Sequence, residues 1–129
     1  MTRLAGVESQ LLSLKIIAER EGLSAGYLEE IARRLKRAKL IESVRGAHGG
    51  YRLAKSAASI TVADVLIALE GPVRTMVCVG DEATRYHCPL ESQCISRQVW
   101  QRVNDTLRAT FASMTLSDLC RSVVTAVAA

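Results

Sequence analysis

No apolar run in these 129 residues approaches the roughly 18 to 20 needed to span a bilayer as a helix, and no basic-then-apolar layout of a secretory signal opens the chain. No internal repeat or low-complexity stretch occurs, which excludes solenoids and arrays. No nucleophile with a base, no phosphate loop and no paired carboxylates at catalytic spacing can be recognised, so no enzyme is expected. Close C-x2-4-C pairs are missing too, which makes structural zinc the weaker reading of the four cysteines. What is present is a chain that is 49% hydrophobic, too apolar for disorder and long enough for one modest core with an appended element. The expected setting is the cytoplasm.

The net charge of +4 is unevenly placed. Residues 33–55 carry eight basic side chains (Arg33, Arg34, Lys36, Arg37, Lys39, Arg45, Arg52, Lys55) against one acid, Glu42, whereas residues 56–129 carry six basic and seven acidic ones. A clustered positive field attracts a polyanion far better than a dispersed one, so this segment is read as the part that meets phosphates, with a solvated basic face as the plainer alternative.

The opening residues read as a helix joined in mid-course, because Met1, Leu4 and Ala5 stand at helical spacing with no cap before them. Ser13 is expected to cap a short helix from Leu14 to Glu21, stopped by Gly22 in a left-handed conformation. Ser24 then caps a second, whose apolar positions Leu28, Ile31, Ala32, Leu35 and Ala38 follow the spacing of one buried face. Two short helices around a tight turn, the second basic and amphipathic, make a helix-turn-helix. Its exposed first half offers Ser24, Gly26, Tyr27, Glu29, Glu30 and Arg33 to the edges of bases, since arginine can bridge guanine O6 and N7 and a carboxylate can accept from cytosine N4. Arg34, Lys36 and Arg37 suit phosphates or water.

Leu40-Ile-Glu-Ser-Val44 reads as a strand, Arg45-Gly-Ala-His-Gly-Gly50 as a glycine-rich turn and Tyr51-Arg-Leu-Ala54 as the returning strand. This is a β-hairpin wing. Gly46, Gly49 and Gly50 permit close approach of backbone to another surface, Arg45 is the expected minor-groove or phosphate contact, and His48 is second to it, unless it is only a solvated loop residue.

Thr61 with Asp64, and Ile60 against Val65, signal a helix that Gly71-Pro72 ends. From Ile95 the spacing of Val99, Trp100, Val103, Leu107 and Phe111 marks a long amphipathic helix, and Thr115 with Asp118 starts a last one running towards Val127. A long apolar stripe beyond a small DNA-binding unit either packs against a twin or folds back on its own domain; a homodimer would suit paired half-sites. The expected organisation is mainly α: a winged helix-turn-helix over residues 1–72, a cysteine loop over 73–94, and a dimerisation helix with a C-terminal helix over 95–129.

In the loop, Cys78, Cys88 and Cys94 follow C-x9-C-x5-C spacing. Crowded cytosolic thiols point to metal or redox chemistry before disulfides, and a flexible loop can bend three thiolates round an iron–sulfur cluster, 2Fe-2S or 4Fe-4S. His87, Asp81, Glu82 and Glu91 are near enough in sequence to be a fourth ligand, whereas Cys120 reads as a small buried residue. Direct oxidation of the thiols is the alternative to a cluster.

Leu23-Ser-Ala-Gly-Tyr-Leu-Glu29, Ser43-Val-Arg-Gly-Ala-His-Gly-Gly-Tyr51, the three cysteines with Cys88-Pro-Leu, and Thr115-Leu-Ser-Asp-Leu119 resemble the IscR/NsrR/RirA family of bacterial winged-helix iron–sulfur regulators over residues 13–119. The resemblance implies a DNA-binding transcription regulator, a repressor that senses cluster status, nitric oxide, oxygen or iron. It implies that Arg45 reaches the minor groove, that Tyr27, Glu29 and Glu30 approach bases, that Cys78, Cys88 and Cys94 hold the cluster, and that the helix from Ile95 pairs with its twin. Two departures stand out. Arg97 occupies the place where some members have a ligand histidine, and members carry a longer first helix before the part matching Leu4 and Ala5.

Overall fold

The computed structural model describes residues 1–7, 10–46, 48–82 and 85–127, with side chains described as far as residue 121. Six α-helices and one hairpin are seen in that set: α1 (Thr2–Ala5), α2 (Leu14–Glu21), α3 (Ala25–Arg37), β1 (Ile41–Val44), β2 (Gly50–Leu53), α4 (Val62–Glu70), α5 (Ile95–Ser113) and α6 (Leu116–Val127). The fold is the mainly helical winged helix-turn-helix that the sequence predicts.

Local chemistry sets the helix ends. The Ser13 and Ser24 hydroxyls accept from the Ile16 and Tyr27 amides, satisfying donors that the first turns of α2 and α3 leave open. Gly22 takes φ 64° between them, a left-handed conformation that glycine adopts without a Cβ clash. At the far end of α3 the left-handed residue is Lys39, φ 57°, and there the chain turns directly into β1, with Leu40 N–H donating back to the Leu35 carbonyl at 3.0 Å.

The hairpin is antiparallel, with Ile41 opposite Leu53 and Val44 opposite Gly50. Leu12 adds a short edge through two backbone hydrogen bonds with Tyr51, 3.0 and 2.8 Å. In the turn, Ala47 lies outside the described residues.

Two capping boxes stand back to back. Thr61 with Asp64 starts α4 and Thr115 with Asp118 starts α6, each exchanging backbone and side-chain bonds. Val62 N–H donates to the Met114 carbonyl and Leu116 N–H to that of Ile60, so the two starts are also cross-bonded. This brings Leu116 into the core with Leu4, Ala5, Ala32, Leu35, Leu40, Ile41, Ala57 and Ile60, and the last helix shares the core of the first. Among the described residues no helix is long and apolar enough to cross a membrane.

Candidate nucleic-acid interface and cysteine loop

The buried stripe of α3, Leu28, Ala32 and Leu35, leaves the opposite face to solvent. Tyr27 is 57% exposed, and Gly26, Glu29, Arg33 and Arg37 stand open along the helix. Ser24 is exposed, but its hydroxyl is engaged as the cap. Glu30 accepts from both Arg33 and Arg34, and the bond from Arg34, with the nearby guanidiniums, holds its carboxyl below the usual range. Arg34 also reaches across to donate through Nη1 to the Leu69 carbonyl at 2.7 Å. That residue therefore ties α3 to the end of α4, a use beyond the phosphate contact that sequence suggests.

The wing is held to this helix. Lys36 Nζ donates to Ser43 Oγ at 2.7 Å, joining the last turn of α3 to β1, while Arg52 and Glu42 pair across the hairpin at 2.5 Å. Arg45, Gly46 and His48 are exposed at its tip. Gly46 has φ 121° and open space around it. The other two glycines answer to their own fold: a Cβ on Gly49 would sit 2.3 Å from the Val44 carbonyl oxygen, and one on Gly50 would sit 2.9 Å from the backbone of Leu12.

The cysteine loop is organised by Arg85, whose side chain is only 5% exposed. Its guanidinium donates twice to Glu82, at 2.6 and 2.8 Å, and twice to Glu91, at 2.7 and 2.9 Å. These bonds raise the arginine's pKa further and depress both carboxyls, because each charged form is the hydrogen-bonded one. Glu91 is also paired to Arg97 at 2.9 Å, and His87 lies 3.8 Å from Glu82. Two of the four neighbours considered as a fourth ligand, Glu82 and Glu91, are thus committed to arginine. A bond from Tyr86 N–H to the Val77 carbonyl, 2.8 Å, folds the loop so that the Cys78 segment runs beside the stretch leading to Cys88.

Cys78, Cys88 and Cys94 are free thiols, each half-buried. Among the described residues no three Cys, His, Asp or Glu side chains gather in a way that could hold a metal ion, so the three thiols as arranged do not form a cluster cradle. Cys120 packs against the core, its Sγ 3.7 Å from the Thr2 carbonyl oxygen.

Along α5 the apolar stripe stands open: Ile95 is 88% exposed, with Val99, Trp100, Val103 and Leu107 also exposed and Phe111 half-buried. Sequence reasoning missed Arg85 and Asn104. An arginine between two glutamates six and three residues away gives a weak local signal, and a buried asparagine on an otherwise surface-like helix gives none.

The Rrf2 family model, described as an iron-dependent transcriptional regulator, matches residues 1–122. The chain is 40% identical over 112 residues to protein rrf2 of Nitratidesulfovibrio vulgaris, covering 87% of this chain and 73% of that protein. It is 36% identical over 103 residues to the HTH-type transcriptional regulator IscR of Photorhabdus laumondii, covering 80% of this chain and 60% of that one, so it spans about three fifths of that relative's length. Among solved structures it is similar to CymR, the global cysteine regulator of B. subtilis, with a TM-score of 0.71, 32% identity, and 94% and 89% of the two chains covered.

Proposed function

Because this chain belongs to the Rrf2 family of transcriptional regulators, which are not enzymes, we propose that it works as a homodimeric repressor whose grip on an operator is set by the state of the Cys78, Cys88 and Cys94 loop. The observation that carries the DNA contact is the packing of α3 against β1, closed at their junction by the Leu40 to Leu35 backbone bond and bridged by Lys36 and Ser43. It makes the recognition helix and the wing one unit, so Tyr27, Glu29 and Arg33 can enter a major groove while Arg45 and His48 meet the neighbouring backbone or minor groove. Ser24, Gly26 and Glu30 complete the helix side, and the basic segment supplies affinity through phosphate neutralisation. The exposed stripe on α5 supports the dimer, since apolar side chains at that density are costly to leave in water.

For the group that the loop senses, three thiols in one loop and a family described as iron-dependent support an iron–sulfur cluster. The described arrangement of the loop has to close before Cys78, Cys88 and Cys94 could hold one. Direct thiol oxidation is the second reading, supported by three free, half-buried thiols in one loop.

The test is operator binding by anisotropy across a salt series, with iron and sulfide measured on anaerobically purified protein. A steep fall of affinity with salt supports phosphate contact; equal binding to a duplex and to a neutral polymer would overturn the DNA reading. Iron and sulfide in the preparation support the cluster; their absence, with a reversible disulfide after peroxide, supports the thiol switch.

A further inference from the structure

Helix α5 has two faces. One carries the exposed Ile95, Val99, Val103 and Leu107. On the other lies the first part of the cysteine loop, hung from side chains of the helix itself. Thr75 N–H donates to Asn104 Oδ1 at 3.2 Å and Gly80 N–H donates to Gln101 Oε1 at 3.4 Å. The Thr75 hydroxyl adds a bond to the Trp100 carbonyl at 3.4 Å. Between the two anchored amides sit Cys78 and Val79, and Val79, like Asn104, is 0% exposed. Cys94 stands immediately before the first residue of α5.

Asn104 is an expensive residue for this place. Its Nδ2 is buried with no hydrogen-bond partner among the described residues, and a buried donor left unsatisfied has given up its bonds to water without replacement. A leucine would fill the same space on an apolar contact without that cost. What leucine cannot do is accept the Thr75 amide, and so fix where along the helix the Cys78 segment rests. A buried polar group can set register in this way at the expense of stability.

We propose that Asn104 and Gln101 are positioning residues that carry the state of the Cys78 segment into α5, and through it towards the recognition helix. This rests on the reading of the cysteine loop as the sensor. The onward path is made of packed elements: α5 meets α4, which meets α3, and Arg34 bonds the end of α4 at Leu69. A shift of the segment around Cys78 either moves α5 with it or re-orients or breaks the bonds to Asn104 and Gln101. Contiguity alone does not make a route, so the test must read coupling rather than folding.

The experiment uses the full chain and measures operator affinity for reduced protein and for protein treated with hydrogen peroxide. Wild type should show a ratio of about fivefold or more between the two states, the low end of ordinary coupling. In Asn104→Leu and Gln101→Met the reduced-state affinity should stay within about twofold while the ratio collapses towards one; Gln101→Glu combined with Asp105→Asn, which keeps an acceptor for Gly80 and restores a donor to the side chain that Gln101 Nε2 now bonds, should retain it. Hydrogen exchange read on the same samples should show the Thr75 amide released in Asn104→Leu, the Gly80 amide released in Gln101→Met, and the α3 amides still protected in both. Released amides with an unchanged ratio would overturn the proposal, as would amides that stay protected. A wild type with no ratio would overturn the thiol-switch reading of the loop and this proposal with it, whereas a normal wild-type ratio that the variants keep sinks this proposal alone.

Discussion

Arg34 Nη1 lies 2.7 Å from the Leu69 carbonyl oxygen, so a side chain in the basic segment closes the last turn of α4 instead of facing only outward. That carbonyl is one of the acceptors a helix end leaves open, and the bond binds recognition helix to α4 across 35 positions of sequence.

The arginine pair 33 and 34 should therefore divide its labour. Arg34→Leu is expected to cost about 1 kcal/mol, below the range for bonds to charged groups because the side chain is half exposed, and to lower Tm by a few degrees. Arg33→Leu, whose ion pair is with Glu30 on the same helix, should leave Tm unchanged, weaken operator binding by about 1–3 kcal/mol and relax the preference for one base pair. Thermal unfolding and binding isotherms on matched and single-base-substituted operators read both.

Gly26 and Gly50 should respond oppositely to alanine. A Cβ at Gly50 meets the Leu12 backbone at 2.9 Å, so Gly50→Ala must push β2 off its edge partner, at about 1–3 kcal/mol. A Cβ at Gly26 meets nothing within 4 Å, and alanine there should stabilise α3 by about 0.5–1 kcal/mol while lowering operator affinity if this residue lies against DNA. Urea unfolding supplies the first quantity and binding isotherms the second.

If the open stripe of α5 is the seat of the twin, Leu107→Asp together with Val103→Asp should shift the protein to monomer in sedimentation velocity with α-helical content unchanged. Persistence of the dimer in that double variant would place the interface elsewhere.

The Asp64 carboxyl is held below its ordinary range chiefly by the Thr61 backbone amide and then by the Thr61 hydroxyl. A group with a depressed folded pKa contributes stability that is complete above its unfolded pKa of about 4 and lost as pH falls through the lower folded value. Asp64→Ala should cost about 1 kcal/mol at neutral pH, the usual worth of such a capping contact, and the gap from wild type should shrink as the pH is lowered below about 4. Urea midpoints at both pH values report it.

How much of this was legible beforehand depends on the reach of each interaction. The caps at Ser13, Ser24, Thr61 and Thr115, the left-handed Gly22 and the hairpin were readable in the sequence, because each is decided within about four residues, where backbone geometry leaves few choices. The tertiary structure alone decided that Arg34 serves Leu69 and that Arg85 draws Glu82 and Glu91 to itself. It alone decided that Gly50 is pressed by Leu12 and that Asn104 is buried under Thr75. Those contacts join segments whose approach is set by packing of the whole core, and no local spacing encodes which donor will find which acceptor once water is excluded.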